Sequence, residues 1–144
     1  MPYIVPSSRI RPADLGVQDN KLRPCPSSPN CVSSQTEVSS AFVAPLRYAP
    51  GQRTEFRRLL LDAIRSDQRN EIVTETDRYI HYEARAFVFI DDVELLFSEE
   101  APIVHIRSAS RSGYSDLGAN ARRVAKLSSE LQKATRGSKA AAAR

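Results

Sequence analysis

No run of apolar residues in this 144-residue chain approaches the length that crosses a bilayer, which excludes a membrane-spanning helix. Glycine is scarce, at five residues, and the glycine-rich spacing of a nucleotide-binding loop is absent. Two cysteines are too few for the disulfide framework of a small secreted scaffold, and a reducing compartment would keep them as thiols. The amino-terminal stretch MPYIVPSSRIRPADLG lacks an apolar segment of signal-peptide length, and neither a myristoylation start nor a prenylation cysteine occurs. From these absences the expected placement is cytoplasmic. No internal repeat is visible. What is present, 41% apolar and 26% charged residues, suits a single soluble core rather than a disordered chain.

Charge is unevenly spread. Residues 1–51 carry five basic and three acidic side chains, residues 52–119 nine and thirteen, and residues 120–144 seven and one. The middle is therefore at −4 while the last 25 residues hold +6. Such a flank can hold the phosphates of nucleic acid or an anionic membrane surface by counterion release. The plainer reading is a solvated helix face followed by a soluble tail.

Residues 1–24 show no sustained period and contain Pro2, Pro6, Pro12 and Pro24. An extended arm is expected over residues 1–22, a single domain over 23–135 and a flexible basic tail over 136–144. In residues 52–66, Phe56, Leu59, Leu60, Ala63 and Ile64 fall on one face of a helix and Arg53, Glu55, Arg57, Arg58, Asp62 and Arg65 on the other. Three strand-like runs follow at about 72–86, 87–97 and 103–108, with the first open to an early turn near Asp77-Arg78. Ile80, Tyr82 and Ala84 alternate with Tyr79, His81, Glu83 and Arg85, and Val104 and Ile106 alternate with His105 and Arg107. One sheet face is thus apolar and the other polar. A second helix is expected over 117–134, with Val124, Leu127, Leu131 and Ala134 as its stripe and Ser115 or Asp116 as its N-cap. The fold class is α+β: an antiparallel sheet of three to five strands with one helix before and one after the main strand run.

The stretches RPCPSSPNCVSSQ (23–35) and RSASRSGYSDLGAN (107–120), with Tyr79-Ile80-His81 and the run Phe89, Ile90, Asp91, Asp92, Val93 and Glu94, together make a specific pattern over most of residues 22–131. In this the chain resembles the domain-of-unknown-function family numbered 1499. The resemblance implies a small protein of bacterial or plastid type. It implies no activity and assigns no functional residue. Many such proteins carry an export signal or membrane anchor; this chain shows neither, which weighs against a periplasmic or lumenal placement.

The motifs must then be read physically. Pro24, Pro26 and Pro29 restrict the backbone, and Ser27, Ser28, Asn30, Ser33 and Ser34 can bond nearby amides, so the first motif is a rigid looped turn over a sheet edge. Cys25 and Cys31 enclose five residues and suit either a small disulfide loop or a reactive thiol. Zinc is not indicated, because that spacing is too long and the two histidines lie 24 positions apart.

The second motif leaves a strand through Arg107, Ser108 and Ser110, passes Arg111 and Tyr114, and enters a helix at Ser115-Asp116. Free helix N–H groups and two guanidiniums there could bind a carboxylate or phosphate, with Asn30 and Cys31 as the opposite wall. In the plainer alternative Asp116 caps the helix while Arg107 and Arg111 pair with Asp91, Asp92 or Glu94. Asp91 and Asp92 point to opposite faces of their strand, and Arg107 is the natural partner for whichever turns inward. His81 and His105 fall on the polar side. Three functional readings follow. The first is a non-enzymatic binding or accessory module recognising a small anionic group or a protein partner near residues 107–116. The second is a hydrolase- or transferase-like enzyme using Asp92, His105 or Cys31. The third is nucleic-acid or anionic membrane-surface association through the basic C-terminal helix. No cofactor is indicated.

Overall fold

In the computed structural model, which describes residues 10–86, 89–113 and 115–142, each strong sequence period becomes an element. In chain order these are β1 (Val17–Gln18), β2 (Lys21–Leu22), β3 (Cys31–Ser33), β4 (Leu46–Arg47), α1 (Arg53–Arg65), β5 (Asn70–Glu75), β6 (Tyr79–Ala86), β7 (Phe89–Phe97), β8 (Ile103–Ser110) and α2 (Ala119–Ala142), with one turn of 3-10 helix at Ser39–Ala41. The face of α1 that carries Phe56, Leu60, Leu61 and Ile64 is buried. On its solvent face Arg58 bridges Glu55 and Asp62, one turn away on either side.

β5 to β8 form an antiparallel meander. β3 and β4 lie end to end along the outer edge of β8, which completes a six-stranded sheet. The expectation of three to five strands is corrected on this point: β3 and β4 are three and two residues long, too short to show a period of their own. The run expected at 72–86 is two strands, β5 and β6, turning at the early position near Asp77-Arg78. The order of elements also differs. α1 stands between the edge strands and the meander rather than before the sheet, and α2 runs to Ala142, past the Ala134 where its apolar stripe was expected to end.

Both helices cover one sheet face. Leu60 and Ile64 of α1 and Val124, Leu127 and Leu131 of α2 pack on Ile80, Tyr82, Val93, Leu95, Phe97, Val104 and Ile106. Among the described residues no helix is long and apolar enough to cross a membrane.

The opposite, polar face is covered as well. His81, Glu83, Asp92, Glu94 and Arg107 are all buried there. The amino-terminal segment lies across them, with β1 and β2 paired as a small hairpin whose turn holds Asp19 and Asn20 at positive φ, a conformation that Asp and Asn tolerate. Arg11 reaches Glu83, the Gly16 N–H donates to Glu94 and the Pro24 carbonyl accepts from Arg107. An alternation of polar residues reads the same whether water or a distant segment covers them, so this cover was invisible in the strands themselves.

Candidate functional site

The two motifs meet. The Asn30 side chain donates to the Gly113 carbonyl at 2.7 Å, and its own carbonyl accepts from the Ser110 N–H at 2.9 Å and from Asn120 Nδ2 at 3.2 Å. Asn120, fully buried, joins the rest: its Oδ1 accepts from Ser108 at 2.5 Å and from Arg123 at 2.8 Å, and its Nδ2 also donates to Asp116 at 2.7 Å. Asp116 accepts from the Gly118 and Asn120 N–H groups at 2.8 and 3.0 Å, so the first turn of α2 is capped by protein. Burial raises the pKa of Asp116, but these amide bonds outweigh it and hold the carboxyl below its ordinary value. Gly118 is required in this approach. It sits at φ +83°, a left-handed conformation that residues with side chains rarely adopt.

Cys25 and Cys31 form a disulfide, which selects one of the two states left open by their spacing and removes Cys31 as a nucleophile. Disulfides persist in oxidising compartments, the opposite of the thiol state that a cytoplasmic placement implies. Closing so short a loop constrains the unfolded chain by about 2 kcal/mol, so reduction, or the Cys25→Ser/Cys31→Ser double substitution, is expected to lower the unfolding free energy by about that much. Urea titration with and without a reductant checks this, and coincident curves would contradict it.

Between this loop and the start of α2 lies an open concavity of about 680 Å³, walled by Pro26, Pro29, Val32, Val38, Ala41 and Ala121 together with Ser115 and Asp116. Leu117, between two of the lining residues, is held at φ +53° and is 84% exposed, and Val38 is 60% exposed. Both are apolar groups facing solvent, Val38 in the lining of the hollow and Leu117 between two residues of that lining in sequence.

Arg107 and Arg111 do not reach this hollow's wall. They belong to the covered sheet face, where Glu83, Asp92 and Glu94 meet the guanidiniums of Arg11, Arg85, Arg107 and Arg111. Arg111 donates from Nε to Asp92 at 2.7 Å and from Nη2 to Asp92 at 2.9 Å and to Glu83 at 2.5 Å. His81 Nε2 bonds the same Asp92 at 2.7 Å. Glu83 is also held by Arg11, and Glu94 accepts from Tyr79 at 2.5 Å and from Gly16 at 2.7 Å. Arg107 is the loosely held member: its Nη1 stands 3.6 Å from Glu94, and among the described residues its Nε, like Glu94 Oε1, has no hydrogen-bond partner. Arg107 was expected to balance an aspartate. Its carboxylate is Glu94 instead, because the β7–β8 register sets Glu94 directly across from it. Asp91 and Asp92 do take opposite faces, Asp91 pairing with Arg123 of α2 at 2.8 Å.

The charges shift accordingly. Burial acts to raise the pKa of Asp92 and of Glu83, but hydrogen bonds from Arg111, with His81 for the first and Arg11 for the second, prevail and hold both carboxyls low. The Arg111 guanidinium, bonded to Asp92, is held above its usual range, while burial pushes Arg107 down. The folded pKa values of Asp92 and Glu83 lie below the unfolded ones, so their contribution is complete above about pH 5 and is lost as the pH falls through the unfolded and then the folded values. The unfolding free energy measured in urea is therefore expected to fall between about pH 5 and about pH 2; a flat profile would contradict the network's role.

The candidate catalytic residues do not assemble. His105 stands across from Leu96 whereas Asp92 and Cys31 both stand across from Ala109, four positions along β8 and roughly 14 Å away. The His105 ring bonds Ser34 at 3.1 Å, and burial lowers its pKa. No group of three or more His, Cys, Asp or Glu side chains placed to hold a metal occurs among the described residues. Of the expected ligand-binding residues, Cys31, Ser115 and Asp116 come together at the hollow, Asn30, Ser108 and Ser110 lie in the hydrogen bonds beside it, Arg107 and Arg111 are on the covered face, and Tyr114 lies outside the described residues. Sequence reasoning missed Asn120 and Glu83. The signal for Asn120 was its position four residues after Asp116, where its own N–H meets the capping carboxylate.

No curated protein matches the chain, and no solved structure does. A family described as protein of unknown function (DUF1499) matches over residues 21–131, a span that takes in both motifs, the disulfide loop, the meander and the apolar stripe of α2. With that match over more than half its length, the chain belongs to the DUF1499 family.

Proposed function

We propose that this protein is a non-enzymatic recognition module that docks a protein partner, through an uncharged apolar segment, in the hollow between the disulfide loop and the start of α2. One observation carries the reading: two motifs as far apart as Asn30 and Gly113 are bonded together and wall one open concavity. Among its described lining residues the one ionisable group is Asp116, and that carboxylate is committed to the N–H groups of α2. An anion finds no cation to meet there, whereas apolar side chains find Val32, Val38, Ala41 and Ala121. The partner half of the original expectation is therefore better supported than a small anion bound by Arg107 and Arg111, whose guanidiniums face buried carboxylates. The hydrolase- or transferase-like alternative has less support, since Asp92, His105 and Cys31 are apart and Cys31 is oxidised.

Nitrogen-labelled protein titrated with the neutral capped dipeptide acetyl-leucyl-proline amide tests this. Amide shifts are expected to cluster in residues 25–31, 38–41 and 115–121. The Val38→Ser/Leu117→Ser double substitution is expected to weaken binding about tenfold through the apolar surface it removes. Shifts scattered over the surface, or unchanged affinity in the double variant, would overturn the proposal.

A further inference from the structure

A second depression, of about 880 Å³, lies on the other side of α2, between its first turns and the chain leaving α1. Its lining carries four cations, Arg69, Arg122, Arg123 and Lys126, against two carboxylates, Asp67 and Glu130. Arg69 is held by Asp67 at 3.0 Å, and Arg123 by Asp91 at 2.8 Å from beneath. Lys126 stands 3.8 Å from Glu130 in an exposed pair of little strength. Among the described residues Arg122 has no carboxylate partner; it donates to the Leu117 carbonyl. One unbalanced positive charge is thus left, and it sits on Arg122, one turn from Lys126 on the same helix face. The α1 carbonyls that would repel an anion at this end are occupied, Ala63 by the Ser66 hydroxyl and Ile64 by Asn70.

The floor supplies the second, independent observation. Tyr82 is 2% exposed and lines this cleft, yet among the described residues its hydroxyl has no hydrogen-bond partner. Tyr82 shares the cleft lining with Arg123, Asp67 and Glu130. Burial raises its pKa, which keeps it a proton donor. The hydroxyl oxygen itself is open to the cleft, where water or a ligand oxygen can accept from it.

We infer that this cleft binds a small phosphate-bearing molecule, its phosphoryl oxygens held by Arg122 and Lys126 and another of its oxygens accepting from the Tyr82 hydroxyl at the floor. The volume matches a small-ligand site. Depth separates such a ligand from a polyanionic surface: nucleic acid or a membrane meets the exposed cations at the rim, whereas only a molecule that enters reaches Tyr82. The inference is independent of the docking reading above, from which it differs in site and in ligand charge.

Calorimetric titration of the full chain with inorganic phosphate and with phenyl phosphate tests it, alongside single-stranded DNA and phosphatidylserine vesicles. Phenyl phosphate is expected to bind. Arg122→Gln should weaken it about tenfold, in line with loss of a charge-assisted bond, and Tyr82→Phe several-fold. Without ligand, Tyr82→Phe is expected to melt no lower than the wild type, which separates loss of binding from loss of fold. Phenyl phosphate affinity untouched by Tyr82→Phe and Arg122→Gln would overturn the inference. So would binding only to DNA or vesicles, which would mark the cations as a surface patch.

Discussion

Arg111→Ala is expected to destabilise this protein by about 3–5 kcal/mol, the cost of breaking a buried ion pair from one side. The guanidinium is 2% exposed and gives three hydrogen bonds to two carboxylates that are themselves buried. Removing it leaves Asp92 with His81 and Glu83 with Arg11 and Arg85, whose side chains are half exposed. Arg107→Ala is expected to cost less. Its side chain is equally buried, but its carboxylate stands at 3.6 Å and its Nε makes no bond, so less is lost with it. Urea denaturation of the two variants gives the order directly. If Arg107→Ala proved the more damaging, the geometric ranking of the two guanidiniums would be wrong. Replacing Arg111, Asp92 and Glu83 together by apolar residues of similar volume should recover most of the loss, since the penalty comes from unpaired charge rather than from missing attraction.

Asn120→Ala is the second large effect, at about 2–4 kcal/mol. One side chain satisfies the Ser108 hydroxyl, the Asn30 carbonyl and one oxygen of Asp116, all close to the start of α2. Alanine leaves these groups with fewer partners in a place that water enters poorly, and each orphaned group costs about 1–3 kcal/mol. The same substitution unties the disulfide loop from α2, so faster amide hydrogen exchange is expected in residues 107–120 and at Asn30. An unchanged exchange pattern would show that the Asn30 bonds to Gly113 and Ser110 and the β3–β8 pairing hold the two motifs together without Asn120.

Much of the fold could be read from short windows. The spacing of Phe56, Leu60 and Ile64 specifies a helix because the period of 3.6 residues is contained in a dozen positions, and α1 appears within a residue of the expected bounds. The alternation through Ile80, Tyr82 and Ala84 specifies a strand with one apolar face for the same reason, and it places Asp91 and Asp92 on opposite faces. The approach of the Asn30 segment to residues 107–116 was foreseen as a possibility, because both motifs carry residues suited to turns and caps rather than to core.

What could not be read are the contacts between windows. His81, Glu83 and Asp92 look like a solvated face until the amino-terminal arm is laid over them by Arg11, Gly16 and Pro24, up to 83 residues away. Which carboxylate each arginine finds depends on strand register, and register follows from the whole sheet rather than from the strand's own letters.

Tyr82 shows the division most plainly. Its place on the apolar face follows from alternation, as did its burial. That it shares a cleft lining with Arg123, Asp67 and Glu130 follows only from where α2 packs on the sheet. The sequence by itself determined the elements, their faces and the class of fold, because side-chain periodicity is local. The tertiary structure alone decided which polar groups are matched, which stand unmatched and which hollows they line, because desolvation and pairing depend on segments the chain brings together from far apart.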